Sequence, residues 1–202
     1  MTSASPRGGV SANLALVAPL TYGGGRRRIP ESPDRRSASG VAVRGDGDGW
    51  VIDTDGSRYW GVNGAAGLLL RTLQPDGRTL ILLQHRAVWS HQGGTWGLPG
   101  GARDSHESAI DTALREAQEE AGLDPADVEV VAALVTHRAK GGWTYTTVIA
   151  DIDEPVRTIA NGESAELRWV DEADVDELPL HPAFGEAWPG LRDRIAALDP
   201  QN

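Results

Sequence analysis

From about residue 50 onward, apolar and polar positions fall into blocks of recognisable period. Residues 61–71 (GVNGAAGLLLR) and 79–86 (TLILLQHR) are short, nearly continuous apolar runs on either side of Pro75-Asp76-Gly77. That pattern predicts two buried strands joined by a turn. Residues 128–136, 143–150 and 166–170 read as further strands, and residues 139–142 as the turn between the first two. Between these blocks the period changes to that of a helix. Ile110, Ala113, Leu114, Ala117 and Ala121 share one stripe, which predicts an amphipathic helix over 104–121. Asp104 is its expected N-cap, with Glu107 completing a capping-box-like pair, and Gly122 is the expected left-handed residue after the last turn. Residues 171–178 suggest a short acidic helix. Phe184, Trp188, Leu191 and Ile195 recur at helical spacing, and Pro189-Gly190 within that run predicts two helical pieces over 182–198. Strands around two main helices predict an α/β fold with a mixed β-sheet between helices.

The first 48 residues break the pattern. They are rich in Ser, Gly, Pro and Arg, net basic, and poor in apolar residues, so a disordered N-terminal arm is expected over 1–48 and a folded domain over 49–198. Residues 14–20 form a short apolar run without the basic start and small-residue cleavage site of a signal peptide. No apolar run is long enough to span a bilayer, so no membrane partner is expected. The whole chain carries a formal charge of −10, which argues against nucleic acid as a partner, because phosphate backbones need basic surfaces. The chain has no Cys, which removes disulfides, thiolate metal sites and a thiol nucleophile, and a cytoplasmic location is the expectation. Nothing in the sequence decides the oligomeric state, and a homodimer is compatible with it.

One window carries chemistry: Gly101-x5-Glu107-x7-Arg115-Glu116-Ala117-x-Glu119-Glu120-x-Gly122-Leu123. From average residue frequencies, a chance match is on the order of one in ten million. Glu116, Glu119 and Glu120 stand at i, i+3 and i+4, so their carboxylates crowd one helix face opposite the apolar stripe. Each such like-charge pair costs a helix roughly 0.2–0.5 kcal/mol. A solvated acidic face, partly neutralised by Arg115, is the plain explanation; a hard cation with oxygen ligands is the functional one. The preceding residues 95–101 (TWGLPGG) form a Gly-rich loop that lets backbone approach a ligand closely.

This window resembles the Nudix box of the Nudix (MutT-like) hydrolases at every fixed position. The resemblance is specific over residues 97–123 and extends loosely over 60–195. It implies the Nudix α/β/α sandwich and divalent-metal cleavage of a nucleoside diphosphate linked to another group. The expected cofactor is Mg²⁺, with Mn²⁺ as a substitute, and the expected partner is a small-molecule nucleotide: a (deoxy)nucleoside triphosphate, oxidised or not, or a nucleotide sugar. Glu119 and Glu120 are the implied metal ligands, Glu116 a further ligand or the catalytic base, and the Gly100 carbonyl an additional ligand. Glu166 resembles the late acidic ligand of MutT-like members, with Glu163 as its rival. Arg115 is expected to orient a neighbouring Glu; Glu107 is expected to be structural, through the cap and a link to Arg115, and Gly101 and Gly122 are expected to be structural as well. Arg86, at a strand end facing the box, is a candidate phosphate contact. Trp60, Trp89 and Trp143, with Tyr145, are candidates to border the substrate. His91, His106, His137 and His181 show no ligand spacing. The competing reading is a catalytically silent Nudix-fold nucleotide-binding or regulatory protein. The intact box carboxylates argue against it.

Overall fold

The structure, a computed structural model, describes residues 45–158 and 164–198. Most of the expected N-terminal arm, and Glu163, lie outside the described residues. A small antiparallel hairpin comes first: β1 (Trp50–Ile52) pairs with β2 (Arg58–Trp60), Trp50 opposite Trp60. Its strands are too short to leave a period in the sequence.

The main sheet is built from β3 (Ala65–Leu73), β4 (Thr79–Arg86), β5 (Trp96–Gly97), β6 (Gly100–Ala102), β7 (Glu129–Arg138), β8 (Thr144–Asp151) and β9 (Ser164–Asp171). Its order is β5-β4-β3-β8-β7, with β6 on β3 and β9 on β4. The β3–β8 pair is parallel and the others antiparallel, so the sheet is mixed. Helix α1 (Ala109–Ala121) covers one face, and α2 (Pro182–Leu198) covers the other. Strand alternation divides the core cleanly. Leu68, Leu70, Leu82, Val148 and Ala150 meet Ala113, Ala117 and Ala121 of α1. Leu69, Ile81, Leu83, Ile149 and Val170 meet Phe184, Trp188, Leu191 and Ile195 of α2. β3 is buried on both faces, which is why it reads as an unbroken apolar run. The expected α/β/α sandwich is present.

Three elements differ from the sequence reading. Residues 61–64 turn rather than extend: Gly61 and Gly64 take φ of 104° and 94°, and Gly64 N–H donates to the Gly61 carbonyl. Strand β3 therefore starts at Ala65. The acidic segment after β9 is a 3-10 helix, Glu172–Glu177. Residues 182–198 form one helix that runs through Pro189. The four buried side chains of α2 lie on one stripe, and docking that stripe outweighs the hydrogen bond that proline removes.

The start of α2 is tied to the sheet. His181 N–H donates to the Trp96 carbonyl, and its imidazole Nδ1 accepts from Ala183 N–H, as an N-cap side chain would. Burial first, then the nearby Arg86 and His91, pulls this imidazole down to about 4. An unfolded histidine titrates near pH 6.5. The unfolded state therefore binds more protons between those values. The stability contributed by neutral His181 is present above pH ~6.5 and is lost as pH falls toward 4. His181→Asn keeps a capping acceptor and removes the titration, so its urea midpoint should fall less than the wild type's between pH 6.5 and pH 4. Parallel curves for the two proteins would refute this.

Candidate active site

The site forms where the sheet parts. Near residues 71–73, β3 pairs with β4. Beyond that point β4 pairs instead with β5, and β3 with β6, so β5 and β6 fill the gap and are linked by Leu98 and Pro99. The Gly-rich loop of the sequence is this splice. α1 packs beside β3 and β6 and presents its carboxylates to the gap.

α1 begins later than its polar pattern suggests. Ser108 is the N-cap, in a reciprocal capping box with Asp111. Asp104 and Glu107 do not cap the helix. Asp104 accepts from Gly47 N–H at 2.8 Å. Glu107 accepts from Asp104 N–H at 3.3 Å and Thr112 Oγ1 at 2.9 Å. Ser108 takes the Asp111 N–H at the helix start, which leaves Glu107 for another partner. That partner is Arg115, with Nε on Glu107 Oε1 at 2.7 Å and Nη2 on Oε2 at 3.0 Å. Burial alone would raise the Glu107 carboxyl. The hydrogen bonds from Arg115, Thr112 and Asp104 outweigh it and hold the group below the usual carboxylate range. Gly122 closes the helix at φ 70°, as expected.

Arg115 spends its remaining donors on the site. Nη2 donates to the Ala102 carbonyl at 3.0 Å, and Nη1 to Glu116 Oε1 at 2.7 Å, while Glu119 lies 3.7 Å away. The hydrogen bond to Glu107, reinforced by the Glu116 charge, raises the guanidinium still further above its ordinary range. Glu116 lies directly over Gly101: a Cβ there would come within 2.4 Å of Glu116 Oε1, so a side chain at 101 would displace the Glu116 carboxylate. Glu120 is 5% exposed, and its Oε2 accepts from Gly100 N–H at 2.8 Å. Glu119 is exposed at the mouth. Glu116, Glu119, Glu120, Gly100 and Gly101 thus sit at one place, positioned by Arg115 and Glu107.

Tyr145 joins them. Its hydroxyl occupies the space where a Gly67 Cβ would lie, 2.1 Å from that position, and Pro99 O is 3.0 Å from the same point. Burial and then the Glu120 charge push the phenol well above the usual tyrosine range, so it stays protonated. The sequence offered Tyr145 only as a candidate to border the substrate, and Gly67 carried no signal. Both needed the β3–β8 register to acquire meaning.

The other expected site residues are more scattered. Glu166 stands opposite His85 across β4 and β9, its two oxygens on Arg168 at 2.9 and 3.0 Å. The structure shows no contact between it and the α1 carboxylates. Arg86 donates through Nε to the His91 carbonyl at 3.2 Å and so braces the loop after β4. Trp60 packs edge-on against Trp50, on the hairpin. Trp143 stacks on Tyr59 and donates to the Gly61 carbonyl at 2.8 Å. It also lines a cavity of about 330 Å³ with Val51, Val62, Asn63, Arg103 and Thr144. Asp46, Asp104 and His106 bring ligand atoms within 4.8 Å of one another, a grouping missed because Asp46 is remote in sequence.

Comparison with known proteins agrees with this geometry. The NUDIX domain profile matches residues 64–190. A Mycobacterium tuberculosis (strain H37Rv) protein with the provisional name 8-oxo-dGTP diphosphatase 3 is 61% identical over 160 residues, covering 77% of this chain and 74% of its own. The crystal structure of a Nudix hydrolase from M. smegmatis, RenU, superposes with a TM-score of 0.72 at 56% identity, over 75% of this chain and 96% of that one. The NUDIX domain of Shewanella oneidensis NrtR, solved with ADP ribose, is 26% identical with a TM-score of 0.50, over 65% and 86% of the two chains. With an intact box set on the expected sandwich, and relatives of this similarity, the chain belongs to the Nudix family and is a pyrophosphohydrolase acting on phosphoanhydride bonds of small nucleotides.

Proposed function

We propose that the protein is a Mg²⁺-dependent pyrophosphohydrolase of a (deoxy)nucleoside triphosphate, with 8-oxo-dGTP as the first substrate to test. The observation that carries the metal reading is the buried Glu120 carboxylate, tied to the Gly100 amide beside Glu116 and Glu119. The donor set is all oxygen and strongly anionic, which suits a hard divalent cation. The substrate reading rests on the name of the M. tuberculosis relative.

Glu119, Glu120 and the Gly100 carbonyl would hold the cation, with Glu116 as third ligand or as the base that takes the proton of the attacking water. When bound, the cation supplies charge neutralisation on the diphosphate and activation of water. Arg115 acts through others: its grip on Glu116 fixes that carboxylate's direction, and Glu107 fixes Arg115. Glu166 is the further ligand implied by the resemblance. Its pair with Arg168 is about half exposed, so exchanging it for a cation would cost little. Water attacks one phosphorus of the α–β anhydride, the P–O bond to the bridging oxygen breaks, and that oxygen leaves with the other phosphorus, giving a nucleoside monophosphate and pyrophosphate.

The experiment is a phosphate-release screen, coupled to inorganic pyrophosphatase for the triphosphates and to alkaline phosphatase for the nucleotide sugars and dinucleotide polyphosphates, with the EDTA arm read by chromatography of the nucleotide products. It would cover triphosphates, oxidised triphosphates, nucleotide sugars including ADP-ribose, and dinucleotide polyphosphates. Turnover of 8-oxo-dGTP should lead the panel, vanish on chelation with EDTA and return with Mg²⁺ or Mn²⁺. Undiminished turnover in EDTA would remove the metal reading. No turnover of any member by folded, metal-loaded protein would favour a nucleotide-binding regulator instead.

A further inference from the structure

We propose that Tyr145 is a substrate-contacting residue whose phenolic O–H donates a hydrogen bond to a non-bridging oxygen of the diphosphate beside Glu116 and Glu120. The inference rests on the pyrophosphohydrolase reading and adds a residue to it.

Position comes first. Alternation along β8 places Ile149 on the α2 side of the sheet and Val148 and Ala150 on the α1 side, so Tyr145 lies on the α2 side. Gly67 shares that side with Leu69, and Tyr145 pairs with Ala65 across the parallel β3–β8 ladder. The ring therefore reaches along the sheet until its oxygen rests over Gly67, opposite Gly100. A glycine inside a strand weakens it and marks a place where something must come close. Here that something is the Tyr145 hydroxyl.

Donor supply comes second. Glu116, Glu119 and Glu120, as carboxylates, only accept hydrogen bonds. Arg115 has Glu107, Glu116 and the Ala102 carbonyl, and the Arg86 Nε has the His91 carbonyl. The Gly100 amide is on Glu120. Among the described residues the Tyr145 hydroxyl makes no hydrogen bond, and it is not one of the enclosed polar atoms, so it is open to a ligand. A phosphate oxygen can accept from it. A neutral donor also suits the site. It contacts the anion without adding charge that would compete with the cation.

The test uses the full chain with Tyr145→Phe, which keeps the ring and removes only the oxygen. Two affinities are measured: Mn²⁺ alone, by electron paramagnetic resonance, and methylenediphosphonate in the presence of Mg²⁺, by calorimetry. The Mn²⁺ affinity should stay within about twofold of wild type, and methylenediphosphonate should bind about tenfold more weakly, with kcat/KM reduced in step. Gly67→Ala, which displaces the hydroxyl without deleting it, should weaken methylenediphosphonate binding in the same direction. Unchanged methylenediphosphonate affinity in Tyr145→Phe overturns the proposal. So does loss of Mn²⁺ affinity, since the hydroxyl would then serve a metal ligand. If wild type hydrolyses no nucleotide yet loses methylenediphosphonate on Tyr145→Phe, the hydrolase substrate reading fails while the contact stands.

Discussion

Glu120→Gln is expected to lower kcat with Mg²⁺ by about a thousandfold, ~4 kcal/mol of transition-state stabilisation. Glu120 is the most enclosed of the three box carboxylates, and its position is set by the Gly100 amide. Glutamine matches its volume, and its amide oxygen can still accept from Gly100, so the loop and helix stay together. What disappears is a full negative charge at the point where a cation must sit. Without metal, the variant should melt at the same temperature as wild type or slightly higher, because one member of a like-charged cluster is gone. The two readouts separate chemistry from folding. A variant that keeps kcat within tenfold would remove Glu120 from the metal set. A variant that melts much lower would make it a structural residue.

Trp188→Ala is expected to cost about 3–5 kcal/mol of stability. Trp188 is fully buried at the centre of the stripe by which α2 holds the sheet, packed on Phe184 at 5.7 Å between ring centroids. In a domain of this size, that loss lowers the melting temperature by roughly 10–15 °C. Trp188→Phe should cost far less, since the indole Nε1 finds no acceptor among the described residues and nothing is lost with it. The residue next to it is Pro189, so the same experiment tests why the helix is unbroken. If packing overrides the proline, Trp188→Ala should also lower helicity near residue 189 in amide exchange. A melting temperature within a few degrees of wild type would mean that α2 is held by something else.

How far the sequence could be read depended on how local each interaction is. The box was legible because i, i+3 and i+4 neighbours share a helix face whatever surrounds them. Arg115 and Glu107 were legible as a pair for a similar reason: one short chain segment brings them together. Alternation revealed the strands of the core, and the run of β3 showed burial on both faces. The helix start was misread because Asp104, Glu107, Ser108 and Asp111 offer two overlapping caps. Hydrogen bonds from Gly47 and Arg115, one of them remote in sequence, decide between them.

Short-range spacing alone carried the family, the acidic helix and the sandwich class. Tertiary structure alone decided three other things. It set α2 running through Pro189, because burial of four side chains against the sheet exceeds one lost hydrogen bond. It brought Asp46 to Asp104 and His106. It also laid the Tyr145 hydroxyl over Gly67, because a parallel strand register joins residues that no local pattern relates.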